Sequence, residues 1–222
     1  MRDLLPEHLM DFLRDRYIAG VATAEAHFAD SRADEDSVTG ALGLALAMRE
    51  PLIFSDESGA FSVQISYRKV RGRGLNAPER LYGSDGIFQI AVTRAEGGVV
   101  RLKGLPFQSK IDWQGRSASV ASQSADIEAS TGEGIVVDYT TTGYRACSTG
   151  LAVEAHGNRQ EVERRGGMKP LGQLLGVEFL ECRIGKIGLF FDPETERYFE
   201  GDHMVEPRHA ITTRVVALPR AG

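Results

Sequence analysis

The stretch GSDGIFQIAVTRAEGGVVRLKGLPFQSK, residues 83–110, decides the fold. Its two halves, GIFQIAVTR and VVRLKGLPFQSK, are rich in the branched and aromatic residues that suit a pleated sheet. The AEGG between them supplies the glycines of a tight reversal. The segment therefore predicts an antiparallel hairpin whose second strand runs on into an apolar, central stretch. Asp85 opens the first strand behind a Gly-Ser turn. Gln108 and Lys110 stand two apart on the second, so they share a face. An acid, an amide oxygen and an ammonium are expected to converge at one edge of the sheet.

Working outward, residues 4 to 28 carry Leu5, Leu9, Phe12, Leu13 and Tyr17 at helical spacing. ADSRADED interrupts this helix. A second helix is expected from Asp34, with Val38, Leu42 and Leu46 on one face, Ser31 or Asp34 as N-cap, and an end near Pro51. PLIFSDESGAFSVQISYRKVRGRG then reads as strands with Gly-containing turns. Beyond the hairpin, RSASVASQSADIEASTGEG reads as a crossover helix that feeds the strand segment GIVVDYTTTGYRACS. The tail reads as helices interrupted by Gly-Gly and Pro, a short hairpin around DPETERYFEGDH, and one last strand in EPRHAITTRVVALPRAG. The expected fold is α/β: a mixed sheet flanked by helices over residues 1–150, with residues 151–222 as an α+β extension packed on that core.

The 222 residues, 42% hydrophobic and 26% charged, describe a globular chain. Twenty-six Lys and Arg against 31 Asp and Glu give a net charge of −5, which argues against nucleic-acid binding through overall charge and leaves room for a local basic patch. No run of about 18 apolar residues and no basic-then-apolar leader occurs, so a cytoplasmic location is expected. Cys147 and Cys182 form no CxxC pair and are read as small packing residues. Phosphate loop, HExxH, GxSxG and dinucleotide fingerprints are all missing, which removes most of the weight from nucleotide and serine hydrolysis. The five histidines, His8, His27, His156, His203 and His209, are scattered and are read as surface or satisfied core residues.

An acid, an amide and a lysine at one sheet edge suit phosphodiester cleavage with Mg²⁺. That hard ion takes few protein oxygens and keeps several waters, and a nearby lysine can stabilise the attacking hydroxide and the developing phosphorane charge. Glu35 is a candidate further acid. It lies three, seven and eleven residues before Val38, Leu42 and Leu46, so it shares their inward face, whereas Asp34 and Asp36 rotate away. A first-turn acid that only answers the helix dipole is the other reading of Glu35. Glu79, in a loop, is a weaker substitute. Arg68, Lys69, Arg71 and Arg73 form a basic run suited either to a phosphate backbone or to a solvated strand end. Arg164, Arg165 and Lys169 could line the same surface, while Trp113 is read as packing.

In these residues the chain resembles the PD-(D/E)XK nuclease superfamily, in the branch where glutamine replaces the second acid. Gly83-Ser84-Asp85-Gly86 looks like its G-x-D element and Phe107-Gln108-Ser109-Lys110 like its QxK element. A helix precedes the two motif strands, and a helix carrying Gln123 and then the strand GIVVDYTT follow, so the resemblance covers residues 31 to 150. It implies a restriction-endonuclease-like fold and an endonuclease cutting DNA with Mg²⁺ or Mn²⁺. Asp85 would hold the metal, with Gln108 offering its amide or a neighbouring carbonyl and Glu35 a direct or supporting acid. Lys110 would polarise water, and Gln123 would orient the lysine or touch phosphate. A homo-oligomer or partner subunit would select the target, in bacterial restriction or anti-phage defence. Two alternatives stay open: a catalytically silent subunit of the same fold serving in assembly, and a ligand-binding domain built on the tail CRIGKIGLFFDPETERYFEGD.

Overall fold

The computed structural model describes residues 1–57, 59–70, 84–192, 194–195, 197–198 and 207–219. The expected first helix, α1, spans Glu7–Ala26, and a single turn, α2, follows at Phe28–Ser31. α3 spans Glu35–Leu46. Of the two candidate caps Asp34 is the one used: its extended backbone lets the carboxylate accept from Ser37 N at 2.7 Å. α3 ends four residues before Glu50-Pro51, where the chain turns into the hairpin β1 (Leu52–Asp56) and β2 (Gly59–Lys69).

The motif hairpin forms as expected, with β3 (Gly86–Arg94) antiparallel to β4 (Val99–Ile111). Helix α4 (Ser117–Thr131) crosses over to β5 (Ile135–Thr140), which lies parallel to β4, and β6 (Gly143–Ser148) returns antiparallel. In the tail come α5 (Thr149–Glu154), α6 (Arg159–Arg164), β7 (Lys169–Pro170) and α7 (Leu171–Gln173). A π-turn (Leu174–Phe179) continues α7, followed by β8 (Lys186–Ile187), the small hairpin β9 (Phe191–Asp192) and β10 (Arg197–Tyr198), and β11 (His209–Leu218).

Among the described residues β1-β2-β11-β3-β4-β5-β6-β7 form one mixed sheet, with β8 added to β4. The tail is therefore more than a layer on a finished core. β11 lies between β2, to which it is antiparallel, and β3, to which it is parallel. Sequence pattern identifies a strand but carries no record of its neighbours, so a division of the chain at residue 150 misses this insertion. Lys103 ties the tail down again. Fully buried on β4, it donates to the Phe179 carbonyl of the π-turn and sits 4.2 Å from that residue's ring centroid.

The two faces of the sheet carry separate cores. Leu9, Leu13, Tyr17 and Val21 of α1 join Val38, Leu42 and Leu46 of α3 over Val63, Ile65, Phe88, Phe107 and Ile211. At about 1.5–3 kcal/mol for each large side chain removed from water, this face fixes α3 over the sheet. On the other face Val120 of α4 packs with Trp113, Val136, Cys147 and Val162, and Trp113 Nε1 donates to the Gly157 carbonyl at 2.9 Å, in keeping with a packing role. Cys147 packs as a small apolar residue, as expected.

Gly86 marks a tight point, where β11, β3 and β4 meet. A Cβ there would lie 2.4 Å from the Phe107 ring and 2.7 Å from the His209 carbonyl. Backbone cannot yield as a flexible side chain would, so Gly86→Ala should cost about 1–3 kcal/mol through overpacking. A urea midpoint unchanged from that of the parent would contradict this packing.

Candidate active site

β3 begins at Gly86, opposite Phe107, so Gln108–Ile111 of β4 run on past it. On their other edge these residues pair with β5. Alternate residues of a strand turn their N–H and C=O groups toward the same neighbour, so Ser109 and Ile111 address the side that β3 leaves open. Such groups need partners when buried. Two carboxylates supply them: Ser109 N donates to Asp85 Oδ2 at 2.6 Å, and Ile111 N to Glu35 Oε1 at 3.4 Å. Alternate residues lie about 6.6–6.8 Å apart along a strand, which makes the two acids neighbours along this edge. Lys110 comes between them. Its Nζ donates to the Ser109 carbonyl at 2.9 Å and lies 3.9 Å from Glu35 Oε2, with only 6% of the side chain exposed.

Each acid is held from a different element. Asp85 precedes β3 and is registered by its own N–H on the Phe107 carbonyl at 2.8 Å, beside Ser84 Oγ, which donates to the Gly86 carbonyl at 2.9 Å. Ser109 Oγ adds a second donor to Asp85 Oδ2 at 3.0 Å. Glu35 opens α3, and Arg116 Nη1 reaches its Oε1 at 2.6 Å. Beneath them Thr39 donates to the Glu35 carbonyl at 2.8 Å and lies 3.1 Å from Tyr139 OH, so the buried phenol donates to Thr39. Burial pushes the Asp85 carboxyl above the ordinary carboxylate range. Lys110 and the Ser109 donors oppose this shift, and the Glu35 charge adds to it. Burial likewise pushes the Tyr139 phenol up.

The structure thus brings Asp85, Lys110 and Glu35 together and parts Gln108 from them. Gln108 turns its amide nitrogen to α4, donating to the Val120 carbonyl at 3.2 Å and to Ser124 Oγ at 2.5 Å. Its Oε1 is buried without a partner, as is Oε1 of Gln123 on α4. Gln108 and Lys110 share one face of β4, but the long lysine reaches back to the Ser109 carbonyl and Glu35, whereas the shorter glutamine stays with the crossover helix. At this edge the backbone carbonyl of Ser109, not the Gln108 amide, is the oxygen beside the acids.

Among the basic candidates, Arg68 is exposed at the end of β2 and Lys69 is paired with Asp36. Arg71, Arg73, Gly83 and Glu79 lie outside the described residues. Arg164 and Arg165 pair with Glu161, and Lys169 pairs with Glu178.

Sequence reasoning missed a second cluster one strand away. Asp36 does rotate off the Glu35 face, but into another buried contact: its Oδ1 lies 2.8 Å from His209 Nε2, with Arg208 Nη1 at 4.0 Å. His209 Nδ1 lies 2.9 Å from Tyr67 OH. A carboxylate only accepts, so Nε2 carries the proton and the phenol donates to Nδ1. Burial opposes the Asp36 charge, but Lys69 and His209 outweigh it and hold the carboxyl below its ordinary range. Burial lowers His209 and pushes Tyr67 up to about 12. The signal available in sequence was weak, because His209 stands 173 residues from Asp36 and only the strand order joins them.

A divalent cation fits the chemistry of this edge. Both hydrogen bonds to Asp85 use Oδ2, which leaves Oδ1 for a ligand, and Glu35 Oε2 and the Ser109 carbonyl are the adjacent oxygens. This is a hard, oxygen-only set suited to Mg²⁺ or Mn²⁺. Among the described residues no group of three or more His, Cys, Asp and Glu side chains could hold a metal, so such an ion would take two carboxylates at most and complete its shell with water and substrate phosphate. Among those residues, too, no helix is long and apolar enough to cross a membrane. No family model, curated protein or solved structure matches the chain.

Proposed function

We propose that this chain is a metal-dependent endonuclease of the PD-(D/E)XK type, with a restriction-endonuclease-like fold, that hydrolyses DNA phosphodiester bonds. The observation that carries this reading is the grouping of Asp85, Glu35 and Lys110 along the stretch of β4 that runs on past β3. When bound, a divalent ion supplies Lewis acidity and a more acidic water at neutral pH. Asp85, Glu35 and the Ser109 carbonyl would hold it. The Lys110 ammonium orients the attacking water and offsets charge on the phosphorane as the water oxygen bonds to phosphorus and the sugar oxygen departs. Arg68 at the end of β2 is available to the flanking phosphates. A role in bacterial restriction or anti-phage defence, with the target chosen by an oligomer or a partner subunit, is part of the same proposal and rests on the resemblance alone.

The turning of Gln108 toward α4 favours a second reading, a catalytically silent subunit of the same fold. One experiment separates the two: supercoiled plasmid and linear single strands are incubated with the purified protein and Mg²⁺, Mn²⁺ or EDTA. Nicking or degradation that needs the metal supports the nuclease. A folded protein that leaves every substrate intact with either metal supports the silent subunit.

A further inference from the structure

We propose that His209 is the positioning residue that sets the spacing of Asp85 and Glu35 across the end of β4. The proposal rests on the nuclease reading of that edge and adds a residue from the far end of the chain. His209 is the first residue of β11, and its main chain and side chain grip different parts of the site. Its N–H donates to the Asp85 carbonyl at 3.2 Å. Its imidazole, with 1% of the side chain exposed, holds Asp36 at 2.8 Å. Asp36 is the residue after Glu35, on the first turn of α3. One residue therefore joins the segment that presents Asp85 to the helical turn that presents Glu35.

The contact has little slack. Gly86, next to Asp85, has no room even for a Cβ beside the His209 carbonyl, so the main chain of His209 cannot slide on β3. On the other side Tyr67 receives the imidazole at 2.9 Å, and its ring lies in a cradle on α3 where a Cβ on Gly43 would come within 2.2 Å of it. The ring is held between Asp36 and Tyr67 by one hydrogen bond at each nitrogen. His209 acts through the two acids, by its N–H on the Asp85 carbonyl and its imidazole on Asp36. Misplacement of a ligand by about 1 Å can cost on the order of 100-fold in a reaction that depends on alignment.

The two nitrogens can be tested separately. Glutamine can place an amide N–H donor where Nε2 stands, and asparagine an amide oxygen acceptor where Nδ1 stands. His209→Gln keeps the bond to Asp36, while His209→Asn keeps only the Tyr67 side, and Tyr67→Phe removes the phenol without touching Asp36. Mn²⁺ affinity, read by the loss of the free-ion EPR signal, is measured alongside thermal unfolding for each variant and for Asp85→Asn. We expect His209→Asn to weaken Mn²⁺ binding about tenfold or more at an unfolding temperature close to that of His209→Gln. His209→Gln and Tyr67→Phe should bind within about threefold of the parent. Binding that is lost in Asp85→Asn but unchanged in His209→Asn overturns the positioning role and leaves the nuclease reading standing. Equal weakening in both His209 variants with a common drop in unfolding temperature also overturns it, because the histidine is then only a packing residue. Binding that survives Asp85→Asn overturns the nuclease reading and this proposal together.

Discussion

Lys110→Ala is expected to slow metal-dependent DNA cleavage by about 10²- to 10⁴-fold, the range spanned by single groups that stabilise developing charge or assist proton transfer. The lysine is the ammonium set between two acids, 2.9 Å from the Ser109 carbonyl and 3.9 Å from Glu35 Oε2. Its removal should leave the fold intact. Glu35 keeps Arg116 at 2.6 Å and Asp85 keeps both Ser109 donors, so no buried carboxylate is stranded. The loss should therefore fall on kcat, with the unfolding midpoint near that of the parent. A variant that cleaves at the parental rate would remove Lys110 from the chemistry. One that fails to fold would make the lysine a structural counter-charge.

Asp85→Asn should have opposite effects on function and stability. Burial raises the Asp85 pKa above its ordinary value of 3.8, so its charge is disfavoured in the folded chain. In the window between that value and the raised one, the native state holds more protons than the unfolded state. Stability contributed by this group is present at acid pH and is lost as pH rises through the folded pKa. The neutral isostere keeps an oxygen for Ser109 N–H and never carries the charge. Without metal, Asp85→Asn should therefore be the more stable protein at neutral pH. Its advantage should shrink as pH falls toward 4. For a chain of this size each gain of about 1 kcal/mol raises Tm by about 2–4 °C. Cleavage should be lost, because an amide is a poorer ligand for a hard divalent ion. A less stable variant at neutral pH would mean that the Lys110 attraction outweighs burial, contrary to this account.

Much of the layout could be read from sequence because it is local. Hydrophobic period gives α1 and α3, an Ala/Ser/Gln-rich stretch of poor strand content ending in glycines gives α4, the cap narrows to Ser31 or Asp34, and the AEGG reversal gives β3 and β4. Asp85 and Lys110 stand out because turn chemistry places the first and strand alternation the second. Glu35 could be named as an inward acid but not joined to Ile111 and Arg116, since that contact depends on how α3 lies over the sheet. Alternation correctly put Gln108 and Lys110 on one face, yet it could not show that the long lysine returns to the Ser109 carbonyl while the shorter glutamine stays with α4. His209 was the least legible residue. It reaches the site only because β11, at the end of the chain, enters the sheet beside β3, and pairing across such a separation leaves no local pattern to read.

The most direct test of the central claim is an amide ¹H–¹⁵N spectrum recorded as Mg²⁺ is added. Binding at the open end of β4 predicts saturable shifts centred on the amides of Asp85, Ser109 and Ile111, with Asp85→Asn abolishing them. Saturable shifts centred elsewhere, or a spectrum of the folded protein that Mg²⁺ leaves unchanged, would contradict the assignment of this edge as a metal-dependent active site.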